Sequence, residues 1–285
     1  MPKTYNELYI IARKKLRDFG ISAFSLEARL IIAAASGKSR EELLANMNFY
    51  TSSEIEERIN NMIARRLENE PVAYITGEWE FCGLSITVTR DVLIPRMDTE
   101  LLAETAINAL RGRKMDARVM DLCTGSGCVG CAIAKMLPAT RVVLADISLP
   151  ALAVAKQNVL RNRLNPRVTC LELDARSAPP MMLGSFDVLV CNPPYIPAAD
   201  IDGLDASVRF YEPLSALDGG EDGLDFYRDI IRLWRGLVKS GGLILFEVGQ
   251  GQAKYVMALM RSVGMGNVGS EKDTLGIDRV VFGNA

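Results

Sequence analysis

The chain contains no histidine. That absence excludes Ser-His-Asp triads, imidazole acid–base catalysis and His-ligated zinc sites. Cysteine is sparse: Cys82, Cys123, Cys128, Cys131, Cys170 and Cys191 are scattered in apolar surroundings, without the paired spacings of a disulfide framework or a four-cysteine metal site. Cys128 and Cys131 form a C-x-x-C, but in GCVGCAIAKML they fall on an apolar helical stretch where core packing is the expectation. Reduced, buried thiols and no metal are therefore expected. No apolar run approaches the roughly 18 residues of a membrane span. The start, MPKTYNELYIIARKK, has Glu7 ahead of its basic cluster and lacks a secretory layout. A cytoplasmic protein with no membrane partner is expected. Net charge is also missing: 33 Lys and Arg balance 35 Asp and Glu to leave −2. No whole-molecule field is left to hold a polyanion, which argues against direct nucleic-acid binding.

What is present reads as an ordinary folded chain, 49% hydrophobic and 24% charged over 285 residues. That length fits one large domain or two unequal ones. Residues 1–70 carry helical periodicity. Leu8, Ile11, Ala12, Leu16 and Phe19 share one helix face that Gly20 can end, and a second apolar helix runs from Leu26 to Ala35 before Gly37. Ser39 with Glu42, and Ser53 with Glu56, have capping-box spacing; the second opens a helix that Pro71 stops. Residues 1–70 hold 11 basic and 10 acidic side chains, against 22 and 25 in the remainder, so the two parts differ in architecture more than in charge.

Residues 71–95 are expected to form a β-hairpin linker, because VAYITGEWEFCGLSITVTRDVLI alternates and places Gly83 at a turn. From 96 to 285 the pattern becomes strand, glycine, helix. Strand-length runs at Val119–Leu122, Val142–Ala145, Phe186–Cys191 and Gly242–Val248 are separated by helical segments, including 148–163 and 224–239. This order predicts an α/β, doubly wound, mostly parallel sheet with ligands at the carboxyl ends of its strands.

Two motifs sit at such ends. MDLCTGSGCVG places Gly125, Gly127 and Gly130 as G-x-G-x-x-G opening a helix, and Asp146 ends the next strand, where a carboxylate can accept ribose hydroxyls. This pair fits a dinucleotide dehydrogenase and an S-adenosylmethionine enzyme equally well. FDVLVCNPPYIP then ends a third strand with Asn192, Pro193, Pro194 and Tyr195. The prolines remove backbone donors and stiffen the turn, leaving carbonyls free to accept. Asn192 adds a side-chain carbonyl and Tyr195 an aromatic face, which suits an NH2 group conjugated to a π system, as in an amide or a nucleobase. Such a nitrogen can attack a sulfonium methyl before losing its proton, so no strong base is needed.

With these motifs the chain resembles the bacterial release-factor glutamine methyltransferases. The likeness extends to Glu70-Pro71, Tyr74, Gly77 and Phe81, to LIPRMDTE (93–100), to EPLSALDGGEDGLDFYR (212–228) and to FEVGQGQ (246–252). The resemblance implies a small all-α domain that docks the substrate, then a Rossmann-like class I methyltransferase domain using S-adenosyl-L-methionine and releasing S-adenosyl-L-homocysteine. It further implies that Asn192 and the Pro193 carbonyl grip the glutamine amide of a Gly-Gly-Gln loop, followed by Pro194 and with Tyr195 packed alongside. The cofactor side would comprise Cys123, Thr124, Gly125, Ser126, Gly127, Asp146, Asp174, Ala175 and Asn192. Cys123 departs from a glycine usual in that loop, and Ala175 stands where some members carry an aromatic. Rival readings are an adenine-amino methyltransferase acting on DNA or RNA, a methyltransferase of a ribosomal-protein glutamine, a nicotinamide-dependent dehydrogenase and a cofactor-binding adaptor. Arg96 is read either as a surface partner of Asp98 or Glu100 or as a cofactor-pocket residue, and Glu247 as a carboxylate capping a backbone N–H.

Overall fold

The computed structural model describes residues 2–111 and 116–285. They divide into two compact units, residues 1–78 with 205–211, and residues 79–204 with 212–285.

The first unit is helical: α1 (Tyr5–Asp18), α2 (Phe24–Ser36), α3 (Arg40–Ala45), α4 (Ser53–Leu67) and α5 (Val72–Thr76). Leu8, Ala12, Leu16, Ile31, Ile32, Ile59 and Ile63 are buried, as their helical spacing requires, but Ile11 and Phe19, expected on the same face of α1, are exposed at its edge and its end. Gly20 and Gly37 take the left-handed conformation just past α1 and α2. The Ser39–Glu42 capping box forms, and Thr4 with Glu7 makes another at the start of α1. The cap of α4 is Ser52, one residue earlier than the spacing suggested, and its hydroxyl accepts from the Ile55 N–H. That helix ends before Pro71, with Asn69 at φ +68°.

The expected hairpin is shorter than the alternating stretch. Residues 72–76 are helical despite their β-forming side chains, because Pro71 pre-sets the start and Gly77 at φ +78° closes a single turn. Only β1 (Glu78–Phe81) and β2 (Leu84–Thr87) pair, joined by Cys82 and Gly83, both at positive φ, the hallmark of a tight hairpin turn. Residues 88–95 run as irregular chain.

The second unit continues with α6 (Met97–Leu110), β3 (Arg118–Leu122), α7 (Cys128–Met136), β4 (Arg141–Asp146), α8 (Leu149–Arg161), β5 (Val168–Glu172) and β6 (Phe186–Cys191). The short α9 (Ala206–Arg209) lies in the segment grouped with the first unit. There the Tyr211 hydroxyl donates to the Glu68 carbonyl at 2.7 Å. Then come α10 (Asp225–Trp234), β7 (Val238–Glu247), α11 (Ala253–Ser262), β8 (Gly266–Lys272) and β9 (Asp278–Asn284). The helix expected over 224–239 ends at Trp234, since the chain turns through Arg235–Leu237 straight into β7.

The seven strands order as β5-β4-β3-β6-β7-β9-β8. β5 through β7 pair in parallel, while β9 pairs antiparallel with both β7 and β8. Along β3 the side chains alternate. Met120 and Leu122 join the core built on Tyr227, Ile230 and Trp234 of α10 and Val256 and Met260 of α11, whereas Asp121 meets α7. Strand order reverses at β3, and Leu122 pairs with both Ala145 and Cys191, bringing three carboxyl ends together. That is where an open α/β sheet parts to admit a ligand.

Candidate active site

A cavity of about 590 Å³ opens there, lined by the loops after β3, β4, β5 and β6, by Asp91, Val92, Leu93 and Pro95, and by residues 213–216. Of the residues expected on the cofactor side, Cys123, Thr124, Gly125, Ser126, Asp146, Asp174, Ala175 and Asn192 line it. Gly127 does not. It caps α7 at φ +79°, and a Cβ there would come within 3.0 Å of Leu144, so its role is close helix–strand packing. Gly130 has the same role more severely, with a Cβ falling 2.2 Å from Leu144. Gly125 faces open space at φ +53° and is the glycine of the motif that borders the cavity.

The glycine loop is anchored by three polar side chains. Asp146 accepts from the Gly125 N–H at 2.8 Å through one oxygen and from the Ser148 N–H at 2.9 Å through the other. Each oxygen keeps a second lone pair for a ligand hydroxyl. Burial raises the Asp146 carboxyl above its usual range, opposed by those N–H donors. Asp121 accepts from Thr124 Oγ1 at 2.6 Å and the Gly130 N–H at 2.9 Å, and burial pushes it up to about 7. Asn158, fully buried on α8, joins Thr87 at the end of β2 to the Ser126 carbonyl, donating to the latter at 2.9 Å. No motif marks Asn158; in AVAKQNVL it stands beside Lys156 and Gln157 with nothing to single it out.

Cys123 sits in the loop at φ +54°, a left-handed conformation that costs a non-glycine residue about 1–3 kcal/mol. Three of the six cysteines (Cys128, Cys131 and Cys191) are buried as expected, and the other three are partly exposed. Asp174 accepts from the Arg176 N–H at 2.8 Å and the Ser177 hydroxyl at 2.6 Å, fixing the turn after β5. Ala175 is buried, and its carbonyl accepts from Trp234 Nε1 at 2.9 Å. Aromatic surface at the cavity comes instead from Phe226, with the Arg176 guanidinium 5.4 Å above its ring.

At the end of β6, Asn192 and Pro194 line the cavity, whereas Pro193 and Tyr195 do not: Pro193 is buried and Tyr195 half-buried. Asn192 Nδ2 donates to Thr99 Oγ1 at 3.2 Å, and no described group bonds to its Oδ1. Burial, with Glu247 nearby, raises the Tyr195 phenol well above its usual range, so it stays neutral.

The segment 212–223 packs against the Asn-Pro-Pro-Tyr turn. Ile196 and Leu217–Gly219 exchange backbone hydrogen bonds, and Gln252 donates to the Tyr195 carbonyl at 2.9 Å. A Cβ at Gly223 would lie 2.3 Å from the Tyr195 carbonyl oxygen, and one at Gly219 2.7 Å from Tyr195 Cα. Only glycine lets these loops press on the Asn-Pro-Pro-Tyr backbone. Arg96 pairs with buried Glu212 and does not line the cavity, so neither expectation for it describes the structure. Glu212 also accepts from the Ile94 N–H at 3.2 Å, holding the 91–95 rim in place. Glu247 is not a cap: it is buried, and its Oε2 is the one buried side-chain oxygen without a hydrogen-bond partner among the described residues. Thr99 and Glu247 become neighbours of Asn192 only in three dimensions.

This sheet order, with a glycine loop and an acidic strand end around one cavity, defines a class I methyltransferase. A "Methyltransferase small domain" model matches residues 97–208, and a "PrmC N-terminal domain" model matches residues 7–77. A crystal structure of a methyltransferase from Pyrococcus furiosus shares the fold at TM-score 0.52 and 16% identity, covering 79% of this chain and 98% of that one. The release factor glutamine methyltransferase of Geobacter sulfurreducens is 41% identical over 95% of this chain and 93% of its own length. The protein of that name from Caulobacter vibrioides is 36% identical over 99% and 97%. The chain belongs to the release factor glutamine methyltransferase family.

Proposed function

We propose that the chain methylates the side-chain amide nitrogen of the glutamine in the Gly-Gly-Gln loop of peptide chain release factors, using S-adenosyl-L-methionine, and so supports translation termination. The observation that carries this reading is Asn192, whose amide borders the cavity and whose Oδ1 engages no described group. A free carbonyl acceptor suits a substrate NH2. The cofactor's shape fits the residues present: the volume lies in the usual range for small ligands, Gly125 keeps one wall open, and Asp146 offers lone pairs for ribose hydroxyls. Asp174 or Ala175 would meet the adenine edge, and the loop 123–127 the methionine part. When bound, S-adenosylmethionine supplies a methyl group activated by a positive sulfur, leaving S-adenosylhomocysteine.

The rest is done by the chain. Asn192 Oδ1 accepts one N–H of the amide at the cavity wall, and the carbonyl of Pro193, which does not itself border the cavity, is assigned the other by the family resemblance; together they would fix the nitrogen and stabilise the positive charge that develops on it. Tyr195, held neutral, packs beside them as an apolar surface. No group need remove a proton before attack; once the methyl has transferred, the cationic amide nitrogen is strongly acidic and releases its proton to water, which is compatible with a chain without histidine. The helical unit is assigned to docking of the release factor, in the cytoplasm and without direct nucleic-acid contact.

The test is mass spectrometry of a purified release factor, a ribosomal protein and an adenine-containing oligonucleotide, each incubated with the protein and S-adenosylmethionine. One added methyl on the Gly-Gly-Gln glutamine is expected. Methylation of the oligonucleotide or ribosomal protein alone would overturn the substrate, and transfer to none would overturn the reading.

A further inference from the structure

Glu247 stands at the carboxyl end of β7, only 2% exposed. Its backbone carbonyl accepts from the Tyr227 hydroxyl at 2.9 Å, but its carboxylate Oε2 has no hydrogen-bond partner among the described residues. Keeping such an oxygen away from water is unfavourable, and a hydrocarbon of similar size would avoid the penalty. What lies next to it gives the carboxylate a task. Thr99, in the first turn of α6, and Asn192 both lie near enough to Glu247 for their polar hydrogens to favour its ionised form. Thr99 Oγ1 in turn accepts from Asn192 Nδ2 at 3.2 Å.

A carboxamide has almost the same shape when turned end for end, so the polarity of its neighbours decides which end faces a ligand. An ionised carboxylate carries no proton and, beside Thr99, draws the hydroxyl proton toward itself. The Thr99 oxygen then has only lone pairs to offer Asn192, which must meet it with its NH2. We propose that Glu247, acting through Thr99, is the positioning residue that holds Asn192 with its Oδ1 toward the cavity. As a claim about catalysis this rests on the reading of Asn192 as the amide acceptor; as a claim about orientation it concerns the chain alone.

The groups around Glu247 determine when this device operates. Burial pushes its carboxyl up to about 7, Asp98 of α6 adds to the rise, and Arg279 of β9 opposes it. Tyr195 and Tyr227 also feel its charge, and both stay neutral. Protonation makes Glu247 a donor, frees the Thr99 hydroxyl to donate to Asn192, and removes the preference for Oδ1 outward. Activity should therefore fall on the acid side of neutrality.

The experiment combines 15N-NMR of the Asn192 side-chain NH2 with kinetics on a release factor for Glu247→Gln, Thr99→Val and Thr99→Ser. In the parent protein the Asn192 resonance should titrate near neutrality, and in Glu247→Gln that titration should vanish. Glu247→Gln and Thr99→Val should lower kcat about tenfold to a hundredfold while KM and cofactor affinity hold, and Thr99→Ser should keep most of the activity. Glu247→Gln should also melt no lower than the parent in mildly alkaline buffer, since it removes a buried charge; a loss of kcat there cannot be ascribed to unfolding. Parental kcat in Glu247→Gln, or an Asn192 resonance that titrates unchanged in it, would overturn the proposal. If the parent itself methylates no release factor, the proposed function fails and the NMR titration alone decides the orientation.

Discussion

The loops after β3 and β6 end neighbouring strands of one sheet and border the same cavity, yet they hold their shapes by opposite means. In the first, flexibility lies inside the loop. Cys123, Gly125 and Gly127 all take positive φ, and Asp121, Asp146 and Asn158 pin the backbone from outside. In the second, the loop itself is stiffened by Pro193 and Pro194, and the glycines that make room for it belong to other segments, Gly219, Gly223 and Gly249. A loop that wraps a ligand with its backbone needs conformational freedom of its own. A loop that presents fixed acceptors needs rigid walls, with the freedom placed in its neighbours. Under the proposed function the first loop serves the cofactor and the second the amide, so the two should fail differently.

The largest expected effect is on the second loop. Asn192→Ala should reduce methyl transfer by about 10²–10³-fold, the usual loss when one group aimed at developing charge is removed. Next, Gly223→Ala should destabilise the protein by roughly 2–4 kcal/mol in chemical denaturation, from left-handed strain at φ +73° and the clash with the Tyr195 carbonyl, and should lower transfer more than cofactor binding. The matching change in the first loop, Gly125→Ala, meets open space and should lose only about 1 kcal/mol from strain. Equal losses at the two glycines would break the comparison.

Charge separates the loops as well. Asp146→Ala should weaken S-adenosylmethionine binding by roughly 1.5–3 kcal/mol in calorimetry, the range for hydrogen bonds to a charged group. Asp121 beside the first loop and Glu247 behind the second both have carboxyls raised to about 7 from ordinary values of 3.8 and 4.5. In the unfolded chain they ionise first, so the folded state holds more protons between those limits. Their contribution to stability is therefore complete below about pH 4 and is lost as pH rises to about 7. Denaturation midpoints measured across that window should show the decline, and Asp121→Asn and Glu247→Gln should each flatten it. The smallest effect is Cys123→Gly, which relieves a strained φ of +54° and should raise stability by about 1 kcal/mol if the site tolerates the added chain freedom.

Much of the frame was legible because it is periodic. Apolar runs followed by glycine and helix gave the parallel strands from β3 to β7, and Asp146 and Asn192 stand at strand ends as expected. The edges were not. Gly266–Lys272 reads GNVGSEK, with no apolar alternation, because an edge strand facing solvent needs none, so the antiparallel β8–β9 pair passed unnoticed. Val72–Thr76 misled for the opposite reason: β-forming side chains sit in one helical turn fixed by Pro71 and Gly77. In the site, glycine and proline motifs announce loops whose conformation is local. Thr99, Asn158, Glu212 and Glu247 act across sheet and loop, on partners 32 to 118 residues away in the chain where hydrogen bonds join them, and such contacts leave no local pattern. The segment 205–211 likewise groups with the helical unit although it lies between strands of the other.

The central claim is that the two loops divide the work, one holding the cofactor and the other the nitrogen that receives the methyl. Calorimetric titration of S-adenosylmethionine into Asn192→Ala, followed by single-turnover transfer to a release factor in the same sample, tests it most directly. The account predicts cofactor affinity close to that of the parent with transfer almost lost. A fall in affinity as large as the fall in transfer would contradict it, and would move Asn192 to the cofactor side of the cavity.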